Sequence, residues 1–334
     1  MALRTSSAAT VVAVLAISVG ALPGCKKPGA AATVLSDAAV DLPMRSDAAA
    51  DLPTPDGAPV VEQIVVDAGP LARAIPVPQA AVDAEVNPEH LPPYSGPTGT
   101  VTGVVHVRGD EAPKVDLQIP FECGDAYQTY GRVFREGNGR TVADALVAVT
   151  GYQGYLPQQA DAVNVAIAKC AYDRRTVALM YGQNVSVTNT DRQLSFIPIL
   201  LGAELPAQLV AVPHGDPIRL YPPKVGHYAL TDGMAHRWMY ADVFVVRYRT
   251  HAVTALDGAF RIEHVPVGKL KVSAYLPAID ASLHPDVGVA APSSEQEIEL
   301  KEGETLKLDL VLTYRKPKSP AKRPLPATPA PVVH

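Results

Sequence analysis

Between residues 98 and 315 apolar and polar positions alternate in one run after another. The runs are GTVTGVVHV (Gly99–Val107), ALVAVTGY (Ala145–Tyr152), QNVSVTN (Gln183–Asn189), YADVFVVRY (Tyr240–Tyr248), GAFRIEHV (Gly258–Val265) and KLKVSAYLP (Lys269–Pro277), with QEIEL and KLDLVL near the end. A period of two places successive side chains on opposite faces of a strand, so each run offers one face to a core. Turn residues break the runs at short intervals, a pattern that predicts an all-β sandwich architecture. Helical periodicity is scarce, and only GAELPAQL (Gly202–Leu209) predicts a short helix.

The pattern changes at both ends. Residues 25–97 are rich in Ala, Pro and Asp, nearly free of aromatics, and repeat themselves: SDAAVDLP at Ser36–Pro43 returns as SDAAADLP at Ser46–Pro53. Such a stretch buries too little apolar surface to offset its chain entropy, so a disordered tether is expected. Its relaxed length would be on the order of 50 Å. Residues 316–334, KPKSPAKRPLPATPAPVVH, form a basic, proline-rich tail, read either as a frayed terminus or as a contact with anionic lipid, peptidoglycan or a partner.

Ahead of the tether stand Arg4, an apolar run from Ala8 to Leu22, and Leu22-Pro23-Gly24-Cys25. The run is short for a membrane span. Its ending resembles the lipobox of bacterial lipoproteins, which implies a signal peptide over residues 1–24 and acylation of Cys25. Several acyl chains, each CH₂ worth about 0.8 kcal/mol when buried, would hold the chain on a membrane almost permanently. Lys26, rather than an aspartate, follows the cysteine. That favours the outer membrane of the cell envelope, with contact to the membrane through the N-terminal lipid and an envelope protein as partner.

Three cysteines are present. With Cys25 lipidated, Cys123 and Cys170 remain as an even pair in an oxidising compartment, and a disulfide is the economical reading, with two buried thiols as the alternative. The chain has 334 residues, 47% hydrophobic and 19% charged, enough for two globular domains. A net charge of -5 without a basic, aromatic-studded stripe argues against nucleic acid. G-x-S-x-G, H-E-x-x-H and phosphate-loop motifs are absent, so no enzyme is expected.

GTVTGVVHVRG, Cys170-Ala171-Tyr172, LMYGQNVSVTNTD (Leu179–Asp191), HRWMYADVFVV and HAVTALDGAFRIEHVPVGKLKV (His251–Val272) occur in an order and spacing that resemble the periplasmic plastocyanin-like proteins of methylamine utilisation. The resemblance implies a cupredoxin-like sandwich at 156–246 inserted into a transthyretin/carboxypeptidase-regulatory-like sandwich made of 98–155 and 247–315. In that family a histidine follows the N-x-D turn, and a later Cys-x-x-His-x-x-Met completes a blue copper site of two imidazoles, a thiolate and a weak thioether. Here Ser195 and Pro198 stand at the first histidine positions and Gly233 at the thiolate position, while His236 and Met239 remain. The resemblance also aligns Cys170 with a cysteine that is not a ligand, consistent with its pairing to Cys123.

Without a thiolate no blue copper cofactor is expected, and His236 and Met239 read as relics, with Trp238 packing beneath the sandwich. The alternative is a Cu(I) site of Met234, His236 and Met239, joined by His214 or His227 from the preceding loop. His251 and His264 read as exposed hairpin residues. The function expected is a tethered, non-enzymatic interaction module whose partner surface is formed by the apolar loops PILLGAEL (Pro198–Leu205) and LYPPKVGHYAL (Leu220–Leu230), with core packing as the bland reading of both. Copper(I) delivery and glycan or peptidoglycan binding are the alternatives.

Overall fold

The computed structural model describes residues 74–203, 207–234, 236–277 and 292–316, all within one compact unit, Gln63–His334. The fold is all-β. Strands β1 (Thr98–Gly109) and β2 (Leu146–Thr150) come first. Eight follow: β3 (Ala162–Ala168), β4 (Ala171–Tyr172), β5 (Thr176–Met180), β6 (Asn184–Asn189), β7 (Pro198–Leu201), β8 (Ile218–Leu220), β9 (Gly226–Asp232) and β10 (Tyr240–Val246). The last five are β11 (His251–Val253), β12 (Ala259–Pro266), β13 (Gly268–Tyr275), β14 (Ser293–Leu300) and β15 (Thr305–Tyr314).

Sheets of order β12-β1-β15 and β11-β2-β13-β14 share one core, which includes Val101, Val147, Val272 and Leu310. Sheets of order β5-β10-β9-β7 and β4-β3-β6-β8 share another, with Leu179, Val187, Leu230 and Val243. Leu117 packs against both cores. In the first pair of sheets the alternation of the sequence becomes the alternation of burial: along β1, Val101, Val105 and Val107 point inward and their neighbours outward. Gly103 on this strand is required sterically, because a Cβ there would lie 1.6 Å from the carbonyl oxygen of Leu308 on the parallel neighbour β15. β5 is buried along its whole length and β6 almost so, as befits strands covered on both faces.

The two sandwiches are linked through the Asp144 carboxylate. Asp144, just before β2, receives two hydrogen bonds from Arg135, from Nε and Nη2 at 2.7 Å each, and a third from the Arg175 backbone N–H at 2.9 Å at the start of β5. Burial pushes the Arg175 guanidinium below its ordinary value, against the opposing field of Asp144.

Within the segment expected to be a disordered tether, 25–97, the described residues from 74 on are ordered in part. Residues Gln79–Val86 form a helix, α1, whose Val82 is buried in the core of the second sandwich, with Val77 and Val86 packed beside it. Val82 meets the turn at Gly182, where the backbone adopts φ +101° and leaves no Cβ in the way. Tyr94 then pairs by its N–H with the Tyr155 carbonyl. Three valines four or five residues apart suffice for this docking, although average composition hides them. The signal peptide expected at 1–24, Cys25, residues 26–73 of the expected tether and the expected tail from 317 lie outside the described residues. The helix expected at Gly202–Leu209 falls partly on residues 204–206, also outside them; its flanks are a turn at Gly202, an isolated bridge at Ala203 and irregular chain from Ala207. Among the described residues no helix is long and apolar enough to cross a membrane.

Candidate functional site

β9 ends at Asp232, where the Gly233 N–H reaches the Ile197 carbonyl at 2.8 Å and the Ile197 N–H reaches Asp232 Oδ1 at 2.7 Å. The chain then turns through a hydrogen bond from the Met239 N–H to the His236 carbonyl and enters β10. This turn sets His236 between two rings, Phe196 at 5.1 Å and Trp238 edge-on at 5.2 Å. His236 Nδ1 lies 2.6 Å from Asp232 Oδ2, and the Asp232 side chain is fully enclosed. Trp238 is nearly buried and donates from Nε1 to the Cys170 carbonyl, and Met239 is buried in the core. Cys170 is bonded to Cys123 across 5.4 Å between Cα atoms. Beneath them burial raises the phenols of Tyr130 and Tyr172; the Tyr130 hydroxyl accepts from the Tyr172 N–H, and Tyr172 donates to the Thr231 carbonyl.

The loops expected to form the partner surface are mostly interior. Pro198 to Leu201 form β7, and only Leu201 is exposed. Leu220, Tyr221, Tyr228 and Leu230 of the second loop are buried as parts of β8, β9 and the chain between them. Short apolar runs without a period do not reveal whether they face solvent, and here pairing of β7 with β9 turns them inward. Exposed large apolar residues occur in several places, Phe121 and Leu256 among them, and near this turn they are Leu201, Leu209 (39%), Val210 (56%), Val212 (50%) and Met234 (50%). Ala211, in their midst, pairs with Phe196 in both directions, so this segment sits beside His236.

His227 does not join His236. It lies at the opposite end of β9 from Asp232, five residues away and so about 16 Å along the strand. There it stacks on Phe244 and contacts Asp242 at 2.7 Å. His214 is exposed, its N–H bonded to the Asn189 carbonyl. His264 is exposed, as read from sequence, but His251 is not a free hairpin residue. Its Nδ1 lies 2.9 Å from the Tyr248 carbonyl, and burial lowers its proton affinity below the ordinary imidazole range. The reason is tertiary: β11 packs beside β5, and His251 is among the residues lining a cleft of about 470 Å³ between the two sandwiches. Gln158, Met180, Arg249, Arg261 and Ile262 line the same cleft. No pattern in the sequence joins these positions, because they come from four separate segments.

No protein-family model matches the sequence, and no curated protein matches it. Among solved structures, a reduced amicyanin variant is 20% identical over 25% of this chain and 82% of its own, with a TM-score of 0.23. Amicyanin from Paracoccus versutus is 19% identical over 27% and 85%, also at 0.23. A copper-containing nitrite reductase from Thermus scotoductus is 18% identical over 30% of this chain and 25% of its own, again at 0.23. Likenesses of this extent do not bear on function.

The residues present do not fit a blue copper ion. At the thiolate position, Gly233, an added Cβ would lie 2.5 Å from Ile199 Cδ1 and 3.2 Å from Ile197 Cγ2, so isoleucine side chains fill that space. Ser195 offers a hydroxyl where an imidazole is needed, and a carboxylate already engages His236 Nδ1. Among the described residues no three His, Cys, Asp or Glu side chains are grouped to hold a metal ion.

Proposed function

We propose that this chain is a non-enzymatic binding module of the bacterial cell envelope, anchored to the outer membrane through a lipid on Cys25 and carrying a cupredoxin-like sandwich inserted into a transthyretin/carboxypeptidase-regulatory-like one. The contact surface is the end of the inserted sandwich that presents Val210, Val212 and Met234. One observation supports this reading: Val210, Val212 and Met234 stand about half exposed near His236, whose Nδ1 is engaged by the Asp232 carboxylate. Exposed valines surrounded by an ordered framework gain by being covered, at roughly 25 cal/mol per Å² of apolar surface removed from water.

A photo-reactive amino acid placed at Val212 in intact cells should give one discrete protein adduct, and placement at Lys301 on the other sandwich should not. Val210→Asp should abolish the adduct while leaving the melting temperature unchanged. Equal labelling from both positions, or an adduct indifferent to Val210→Asp, would overturn the assignment of this surface. The anchor is tested separately: Cys25→Ser should leave unprocessed precursor and remove lipid from the mature N-terminus, whereas unchanged membrane attachment without any N-terminal lipid would refute it.

A further inference from the structure

We propose that a tyrosine-lined groove beside α1 is a docking site for the proline-rich tail, residues 323–329, of a second copy of this chain. The groove, about 210 Å³, is lined by Tyr152, Tyr155 and Tyr248 together with Val86 of α1, Gly151 and Gly154. The three tyrosines are partly exposed and both glycines are exposed, so a chain laid in the groove reaches them. The Tyr152 hydroxyl shares a hydrogen bond with Thr250 Oγ1 at 3.0 Å. Those of Tyr155 and Tyr248 have no hydrogen-bond partner among the described residues. Clustered tyrosine rings with free hydroxyl donors suit a polyproline II strand: its prolines pack on aromatic faces, and its carbonyls, unpaired within the strand, accept from the hydroxyls. A proline-containing stretch of this chain already lies against that wall. Pro93 forms an isolated bridge with Tyr155, and the Tyr94 N–H donates to the Tyr155 carbonyl at 2.8 Å.

The tail supplies a segment of the matching kind. Residues 323–329 read RPLPATP, a Pro-x-x-Pro stretch led by Lys322 and Arg323. The charges match as well. Arg247 at the groove is already held by Glu85, but Asp83 of α1 accepts only from the Gln79 amide, at 2.8 Å, and meets no cation among the described residues. Burial and, after it, the Asp83 carboxylate push the Tyr155 phenol up, which places that free negative charge at the groove. Distance decides which copy supplies the tail. The groove lies near the start of β1, since the Tyr94 hydroxyl donates to the Pro97 carbonyl. The tail leaves from the other end, where the Lys316 N–H bonds to Asp110. The 12 residues of β1 separate the two by about 36 Å or more at about 3.3 Å each. Pro326, ten residues beyond Lys316, reaches at most about 35 Å even when fully stretched. A chain's own motif therefore falls short of its groove, and a neighbouring copy's does not.

This assignment is independent of the Val210–Val212 surface. The test is sedimentation of the full chain over a range of concentrations. The wild type should associate reversibly, and an excess of synthetic peptide 320–331 should disperse it, whereas the same peptide with Pro326→Ala and Pro329→Ala should not. In the full chain, Pro326→Ala with Pro329→Ala, or Tyr155→Ala alone, should weaken association on the order of tenfold or more. Tyr155→Phe, which keeps the ring and loses the hydroxyl, should weaken it by a smaller factor, and Lys301→Ala should change nothing. The tail-defective and groove-defective chains, mixed, should form one-to-one pairs, because an intact tail then meets an intact groove. A wild type that stays monomeric at every concentration overturns the proposal. So does association untouched by the proline substitutions, or by Tyr155→Ala in a variant that melts as the wild type does, and so does a mixture that fails to pair.

Discussion

Replacing Cys123 and Cys170 together by alanine removes a bond that closes a 47-residue separation. On the chain-entropy account, a loop of that size restrains the unfolded chain by about 4 kcal/mol at 25 °C. Both cysteines are almost fully buried in the same core as Val165, Tyr172 and Trp238, so the folded side of the balance gains nothing from their removal. The single tryptophan makes the effect readable, because Trp238 is nearly buried and bonded to the Cys170 carbonyl, and its emission therefore reports on this sandwich. Equilibrium urea unfolding followed by that emission should show a midpoint lowered by about 1.3–4 M, given a slope of about 1–3 kcal/mol per molar urea. A reducing agent should lower the wild-type midpoint to a similar extent and leave the double variant unchanged. A midpoint shift below about 0.3 M would refute the reasoning, since loop closure then contributes little to stability.

Three further outcomes are expected. Desolvation of the part-buried His251 holds its proton affinity below the ordinary imidazole range, while the unfolded chain takes a proton up near pH 6.5; the unfolded state therefore holds more protons as the pH falls below about 6.5, and stability should decline there. The decline should be shallower in His251→Gln when urea midpoints are compared from pH 7.5 to 5, and identical slopes would refute the burial of this ring. Asp144→Asn leaves Arg135 without its carboxylate and should cost about 3 kcal/mol, with a clear coupling to Arg135→Met in a double-mutant cycle; additive losses would show the pair contributes no mutual stabilisation. Protein mixed with Cu(II) should show no intense thiolate charge-transfer absorption, and Gly233→Cys alone should not create it because Ile197 and Ile199 occupy the space; an intense blue band in that variant would refute the fit argument.

Much of the strand framework was legible in the sequence. The alternating runs at Gly99–Val107, Gly258–Val265 and Lys269–Pro277 lie in β1, β12 and β13, since a sheet with one covered face writes its burial into every second residue. β3, β5, β7 and β9 were harder to see. β5 has no polar face to set a period, and β7 is a four-residue apolar run that reads equally well as a loop until β9 pairs with it. α1 was hidden for a different reason: its apolar periodicity is weak, and its docking depends on the Val82 contact with a turn a hundred residues away.

At the candidate sites the division is sharper. Absence of a cysteine between Cys170 and the C-terminus rules out a Cys-x-x-His-x-x-Met site from sequence alone, and the even pair of remaining cysteines pointed to the disulfide. Only the tertiary structure joined His236 to Asp232 and the Phe196 and Trp238 rings, and separated His227 from them by the length of a strand. Only it brought Gln158, Met180, Arg249, His251 and Ile262 to one cleft. The physical reason lies in range. Local periodicity, turn residues and ligand spacing act within a few positions of the chain and can be read along it, whereas the pairing of polar atoms depends on which strands become neighbours, a choice made by the burial of two cores at once.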